Sequence, residues 1–447
     1  MILLIIRYAH AVFNQIHNMN KLSSLFVLLL FAGFCQAQKF SILEAKLRAI
    51  EVLSFKKLND FKGGSLYELW ILQPIDHSDN TKGFFHQKVY LTHRGFENLT
   101  VIRTAGYNVG RNRVSELSQM LDANQLFVEH RYFGESMPDS LDYRYLNLKQ
   151  ATADLHRVRE LFADLYTNKW ISTGISKGGA TTIFYRYFYP EDVDLSVPYV
   201  APINRAYEEP RIYDFLDTIG TDECRKKLYD FQIQVLSKRE EILPLLKFYS
   251  IGANVEYKIL SLEKAFEFAV LEYPFSFWQW GYSCENIPGP DTDAEVLASY
   301  LLNVSGPSFF GDNDIRYYSS HYYQSATEMG YYGYETSPFE GYLKALPTDT
   351  NPMALFFPFD MKDPFDGQLL EEINQWLETE ADEFIYIYGA NDTWTASAVP
   401  PNDKVDAEWF IMDGKHHGNA RIAYMDDADL SRLKAALAKY LDIEIED

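Results

Sequence analysis

A serine between glycines, an aspartate after one apolar run and a histidine after another carry the chemistry in this chain. Gly174-Ile175-Ser176-Lys177-Gly178 follows Trp170-Ile171 and precedes the helix-like Ala180–Tyr185. A strand, a tight turn and a helix in that order form the elbow that exposes a nucleophilic serine, with glycines where a Cβ would collide with the neighbouring strand or helix. Downstream, Phe384–Tyr388 reads as a buried strand ending in Gly389-Ala390-Asn391-Asp392-Thr393-Trp394, so Asp392 stands at a strand's C-terminal end. Trp409–Met412 runs into Asp413-Gly414-Lys415-His416-His417-Gly418, and a final helix closes the chain. A base-activated serine needs these three residue types, and the order Ser176, Asp392, His417 is that of the α/β-hydrolases.

The rest of the chain must position them. Ser41 to Leu58 reads as a short amphipathic helix. Tyr67–Leu72 and Phe84–Leu91 are expected to form an antiparallel hairpin at a sheet edge, joined by the turn-rich Asp76–Asn80. Val101–Ala105 and Gln125–Glu129 are shorter and more apolar, as parallel strands are. Leu148, Ala151, Leu155, Val158, Phe162 and Leu165 recur at three- and four-residue steps and predict a crossover helix. The elbow follows, then Leu195–Val200. This alternation predicts an α/β-hydrolase core with a doubly wound, mostly parallel sheet.

After Pro202 the pattern changes. Residues 205–370 carry helical periodicity, as at Leu228–Leu236 and Ile259–Ala269, and then a dense aromatic region from Tyr273 to Phe339. Inserted before the acid-bearing strand, this block reads as a large helical cap over the catalytic face. Trp278, Trp280, Tyr317, Tyr318 and Tyr322 are candidates to line its cleft. The expected organisation is an upstream extension and signal peptide over 1–37, a first core part over 38–204, the cap over 205–370 and a C-terminal core part over 371–447.

The signal peptide rests on Met19-Asn20-Lys21, the apolar stretch Leu25–Phe34 and the small-residue site Cys35-Gln36-Ala37. Cleavage near Ala37 predicts a secreted or periplasmic protein. No later segment approaches the ~20 apolar residues of a transmembrane helix. The formal charge is −22, and loss of Arg7 and Lys21 with residues 1–37 leaves −24. Such acidity excludes a nucleic-acid-binding surface as a default. Cys224 and Cys284 are the cysteines beyond Cys35, and pairing or two separate buried thiols are both open. No CxxC or HExxH spacing appears, so no metal and no cofactor is expected.

Val128-Glu129-His130-Arg131-Tyr132-Phe133-Gly134-Glu135-Ser136 resembles the EHRxYGxS segment of the secreted serine exopeptidases that include prolyl carboxypeptidase and dipeptidyl peptidase II. Tyr145-Leu146, Gly174–Gly179, Gly389–Trp394, Gly414–His417 and Gln324–Tyr332 agree with it, spanning about residues 100 to 422. Ala105-Gly106-Tyr107-Asn108 departs from the family's Gly-Gly oxyanion loop, and Ala326 stands where related exopeptidases carry a cysteine. The ending Lys415–Ile422 looks more like the bacterial secreted tripeptidyl aminopeptidases of the same clan. The resemblance implies peptide substrates and a serine exopeptidase acting near the N-terminus of short peptides.

The expected roles follow. Ser176 is the nucleophile and Asp392 orients the base. His417, which completes the Gly-x-x-His spacing, is preferred to His416 as that base. Lys177 N–H and Tyr107 N–H would hold the oxyanion, Gly106 letting the loop approach. Glu328, and after it Glu129, are candidates to bind the substrate's α-amine, with Trp394 beside the acid as a further substrate contact. A carboxypeptidase, a secreted esterase or lipase and an inactive binding protein of the same fold are the alternatives. Oligomeric state is not legible.

Overall fold

The computed structural model describes residues 41–347, 355 and 365–445; the upstream extension and signal peptide expected over 1–37 lie outside them. The chain divides after Glu51. Helix α1 (Ile42–Ala49) belongs to the first unit, with Ser41 as N-cap accepting from Glu44 N–H. All that follows belongs to the second.

Its strands form one sheet. β1 (Leu53–Phe61), β2 (Gly64–Pro74) and β3 (Phe84–His93) are consecutive antiparallel neighbours. β4 (Thr100–Thr104), β5 (Asn124–Val128), β6 (Trp170–Ile175), β7 (Leu195–Tyr199), β8 (Phe384–Gly389) and β9 (Ala407–Met412) run parallel, in the sheet order β1-β2-β3-β5-β4-β6-β7-β8-β9. Every residue of β5, β7 and β8 is buried, as parallel strands covered on both faces must be. An antiparallel edge leading into a parallel sheet whose order reverses once at β5/β4 is the α/β-hydrolase fold. Two expectations need correction. Leu53–Leu58 is strand rather than helix: Ile50 turns the chain extended, and Phe55 then packs edge-on to Tyr67 across β1 and β2. For the same reason the β2–β3 hairpin lies inside the sheet, and β1 takes the edge.

α2 (Glu116–Met120), α3 (Leu148–Ala163) and α4 (Lys177–Phe188) connect the parallel strands. Asn147 caps α3 by accepting from Gln150 N–H, and the apolar periodicity predicted for this helix falls on its buried face. Between β7 and β8 the chain builds α5 (Arg211–Thr218), α6 (Asp222–Ser237), α7 (Arg239–Ala253), α8 (Leu262–Trp280), α9 (Ala294–Ser305), α10 (Asp312–Tyr317) and α11 (Ser319–Gln324). These helices share an apolar core of their own, centred on Phe231, Phe266, Tyr273, Phe277 and Leu297, which meets the loops of the sheet at Tyr132, Leu146 and Trp394. Buried Glu267 on α8 gathers the Arg239 guanidinium and the N–H groups of Lys344, Ala345 and Leu346. A disulfide joins Cys224 to Cys284.

α12 (Gln368–Thr379) returns the chain to the sheet, packing Leu370, Ile373 and Leu377 against Ala180, Ile183 and Phe184 of α4. The expected boundary at 370/371 therefore falls within a helix that packs on the sheet layer. α13 (Asp427–Leu441) covers β9 with Leu433, Leu437 and Leu441. Among the described residues no helix is long and apolar enough to cross a membrane.

Candidate active site

Ser176 sits between β6 and α4 at φ 58°, a left-handed backbone rare for a side chain larger than glycine's. Neighbouring backbone holds it there. Ser176 N–H donates to Tyr199 O at 2.9 Å, and Thr104 Oγ1 donates to Gly178 O at 2.6 Å. A Cβ on Gly178 would lie 2.6 Å from Thr104 O, and one on Gly179 2.8 Å from Tyr199 O. Both glycines are required by close approach of α4 to the flanking strands.

The loop after β4 comes equally near. A Cβ on Gly106 would stand 2.7 Å from both Gly178 N and Lys177 Cβ. This brings the Tyr107 segment against the first turn of α4, where Lys177 N–H has no intrahelical acceptor. The loop after β4 and the first turn of α4 thus meet directly beside Ser176. The Lys177 side chain turns back under that loop, with Nζ 5.7 Å from the Tyr107 ring centre and 5.4 Å from that of Phe133. Burial pulls its ammonium down to about 7.

His417 Nδ1 and Asp392 Oδ2 are 2.7 Å apart, and both residues are buried. Asp392 Oδ1 accepts from Trp394 N–H, which fixes the carboxylate. His416 makes no such pair: its ring Nδ1 accepts from Gly418 N–H and its backbone N–H donates to Asn419 Oδ1. α8 braces both loops, since Gln279 O accepts from His417 N–H at 3.1 Å and Phe275 O accepts from Thr393 Oγ1 at 2.8 Å. The Trp280 indole stands edge-on to the His417 ring at 5.8 Å.

Ser176, Lys177, Tyr107, His417 and Trp394 line one cavity of about 540 Å³, roofed by α8 to α11 and the strand-like segment Gly330–Tyr332. Of the cleft aromatics proposed from sequence, Trp280, Tyr318 and Tyr322 line it. Trp278 is buried in the helical core, and Tyr317 instead hydrogen-bonds Asn108.

The two glutamates expected to bind an amine do not line it. Glu129 is fully engaged as an organiser of loops: it accepts from Val109 N–H at 2.6 Å, from Glu135 and Ser136 N–H, and from Ser136 Oγ. It thereby pins the segment that carries Tyr107. Nor does it pair with Arg131, whose guanidinium makes a buried bidentate contact with Asp154. Glu328 lies within a π-helical turn, Ser325–Met329, that aims its carboxylate at the N-terminus of α3, where it accepts from Leu148 N–H at 2.8 Å. Unsatisfied N–H groups and the helix dipole favour an anion at that position.

The carboxylate that does line the cavity deep in its roof is Glu272 of α8, which accepts from Ser276 Oγ, Tyr332 OH and Tyr334 OH. Burial pushes it up to about 7. Sequence reasoning passed over it, although a glutamate inside the apolar run Phe266–Phe277 was a visible signal. Among the described residues no group of three or more His, Cys, Asp or Glu side chains is arranged to hold a metal.

Prolyl tri/tetrapeptidyl aminopeptidase of Streptomyces mobaraensis is 28% identical over 426 residues, covering 92% of this chain and 89% of that protein. A prolyl carboxy peptidase like protein of Caenorhabditis elegans is 26% identical over 228 residues, covering 42% and 45%. Among solved structures, proline iminopeptidase of Mycobacterium smegmatis aligns with a TM-score of 0.38 at 12% identity, over 83% of this chain and 97% of that one. The model of the PS-10 peptidase S37 family matches residues 37–443. The chain belongs to the PS-10 peptidase S37 family and is a serine peptidase.

Proposed function

We propose that this serine peptidase is an aminopeptidase releasing short peptides from free N-termini, with Ser176 as nucleophile. His417, through the ring nitrogen not held by Asp392, takes the Ser176 hydroxyl proton as Oγ bonds to the scissile carbonyl carbon. The same proton passes to the leaving amine as the C–N bond breaks and an acyl-enzyme remains. Asp392 holds the imidazole tautomer and stabilises the imidazolium. Lys177 N–H and Tyr107 N–H receive the oxyanion, with Gly106 permitting the approach. Water then enters and His417 takes its proton as the water oxygen bonds to the acyl carbon. The Oγ–carbon bond breaks, His417 returns the proton to Ser176 Oγ, and the peptide acid leaves.

The observation that carries this reading is the 2.7 Å His417–Asp392 contact in the wall of a cavity that Ser176 also lines. The N-terminal direction draws on the Streptomyces relative, whose name also suggests proline at the cleaved bond. In this reading the helices between β7 and β8 act as a cap that limits access to chain ends. Met19–Ala37 serves as a cleaved export signal, and N-terminal sequencing of the mature protein should then begin at Gln38.

The test is a mass-spectrometric time course on peptides with free, N-acetylated or C-amidated ends. Aminopeptidase action requires that acetylation stops cleavage and amidation does not. The reverse pattern would establish a carboxypeptidase, and turnover of esters alone an esterase.

A further inference from the structure

α8 presents Glu272, Ser276, Gln279 and Trp280 to the cavity, at spacings of four, three and one that place them on one helical face. The end of this row nearest the chemistry is fixed, because Gln279 O accepts from His417 N–H and Trp280 meets the His417 ring. The other end is Glu272, eight residues back. At 1.5 Å per residue the row measures about 12 Å. An extended peptide advances about 3.3–3.6 Å per residue, so three residues span roughly 10–11 Å.

The two buried glutamates of α8 differ in their partners. Glu267 faces Arg239 and three backbone N–H groups, which neutralise and saturate it. Glu272 has three hydroxyl partners, Ser276, Tyr332 and Tyr334, at 2.7–2.8 Å, and none of these carries positive charge. Neutral donors orient a carboxylate without supplying a counter-charge, and burial disfavours leaving one so. An ammonium arriving through the cavity supplies that charge through a charge-assisted hydrogen bond in a site poor in water.

We propose that Glu272 binds the substrate's α-ammonium, and that the length of α8 between Glu272 and Trp280 sets three residues between the free N-terminus and the bond cut at Ser176. This rests on the aminopeptidase reading. The rival anchor within the same cavity is Asp314, on α10.

The experiment compares kcat/KM for Ala-Ala-Pro-aminomethylcoumarin with that for its N-acetyl form, in wild type, Glu272→Gln, Glu272→Asp and Asp314→Asn. Wild type should prefer the free amine strongly. Glu272→Gln should lower that preference by roughly 10- to 100-fold, the range for a hydrogen bond to a charged group. Glu272→Asp should retain more of it. An undiminished preference in Glu272→Gln, or its collapse in Asp314→Asn alone, overturns the assignment. Wild type that cleaves both forms equally instead overturns the aminopeptidase reading before any variant is considered. Product inhibition of wild type tests the ruler without substitution: Ala-Ala-Pro should inhibit more strongly than Ala-Pro or Ala-Ala-Ala-Pro, and equal inhibition by the dipeptide refutes it.

Discussion

The two sides of the cavity are held by different physics. On the sheet side, backbone lies against backbone: Gly106, Gly178 and Gly179 leave no room for a single carbon, and the Ser176 turn is fixed by its contact with Tyr199 O. On the helical side, side chains lie against side chains. Phe275 stacks on Tyr332 at 4.0 Å and meets Trp394 edge-on at 5.1 Å, and Tyr331 stacks on Tyr332 at 4.3 Å. Packed backbones have one solution, whereas aromatic rings can repack when volume is conserved. The first side suits a reaction that needs fixed atoms, and the second a surface that sorts substrates.

The largest expected effect removes the chemistry from the rigid side. Ser176→Ala should lower kcat for peptide hydrolysis by several orders of magnitude with an unchanged near-ultraviolet circular dichroism spectrum, and His417→Ala should follow it. A His416→Ala loss equal to that of His417→Ala would reverse the assignment of the base.

The next effect sets the two sides against each other. Gly178→Ala drives a methyl group to 2.6 Å from Thr104 O. It should cost about 1–3 kcal/mol of stability and displace the Lys177 N–H, lowering kcat. Phe275→Leu, on the helical side, should cost under about 1.5 kcal/mol and act on KM rather than kcat. Urea melts and steady-state kinetics on both variants decide whether the contrast holds.

The smallest effect is a pH dependence confined to the helical side. Glu272, raised to about 7 by burial, becomes neutral as pH falls, while Tyr331, Tyr332 and Tyr334 around it are pushed up and stay protonated. The preference for free-amine over N-acetyl substrate should therefore fall as pH is lowered from 7 to 5, a window below the ~8 of a free α-amine, where the substrate is already an ammonium. Lys177, also held at about 7, acts on both substrates and cancels in the ratio. A flat ratio would remove the titrating carboxylate from amine recognition.

What the sequence revealed follows the same division. The elbow and the order of Ser176, Asp392 and His417 were legible because turn chemistry and strand ends are local properties of the chain. The crossover helix α3 was legible from its period. Glu272 was not, because residues eight apart on one helix share a face in the sequence pattern whether that face meets core or substrate. Glu328 misled because a π-helical turn, invisible in its sequence, redirects it to the start of α3. The choice between His416 and His417 became geometric only where α8 meets the histidine loop. β1 was read as helix because an amphipathic period continued past Ile50, and only pairing with β2 decides such a segment.

The Cys224–Cys284 bond closes a loop of 60 residues that contains α7, all of α8 and most of α6. By chain-entropy reasoning, such closure removes about 4 kcal/mol worth of freedom from the unfolded chain. That benefit goes to the layer whose side-chain packing is the less constrained, and among its members is the helix that spans Glu272 to Trp280. The crosslink thus lowers the entropy of the unfolded segment around α8, so reduction of this one bond should loosen the helical layer while the backbone-locked elbow keeps its own contacts.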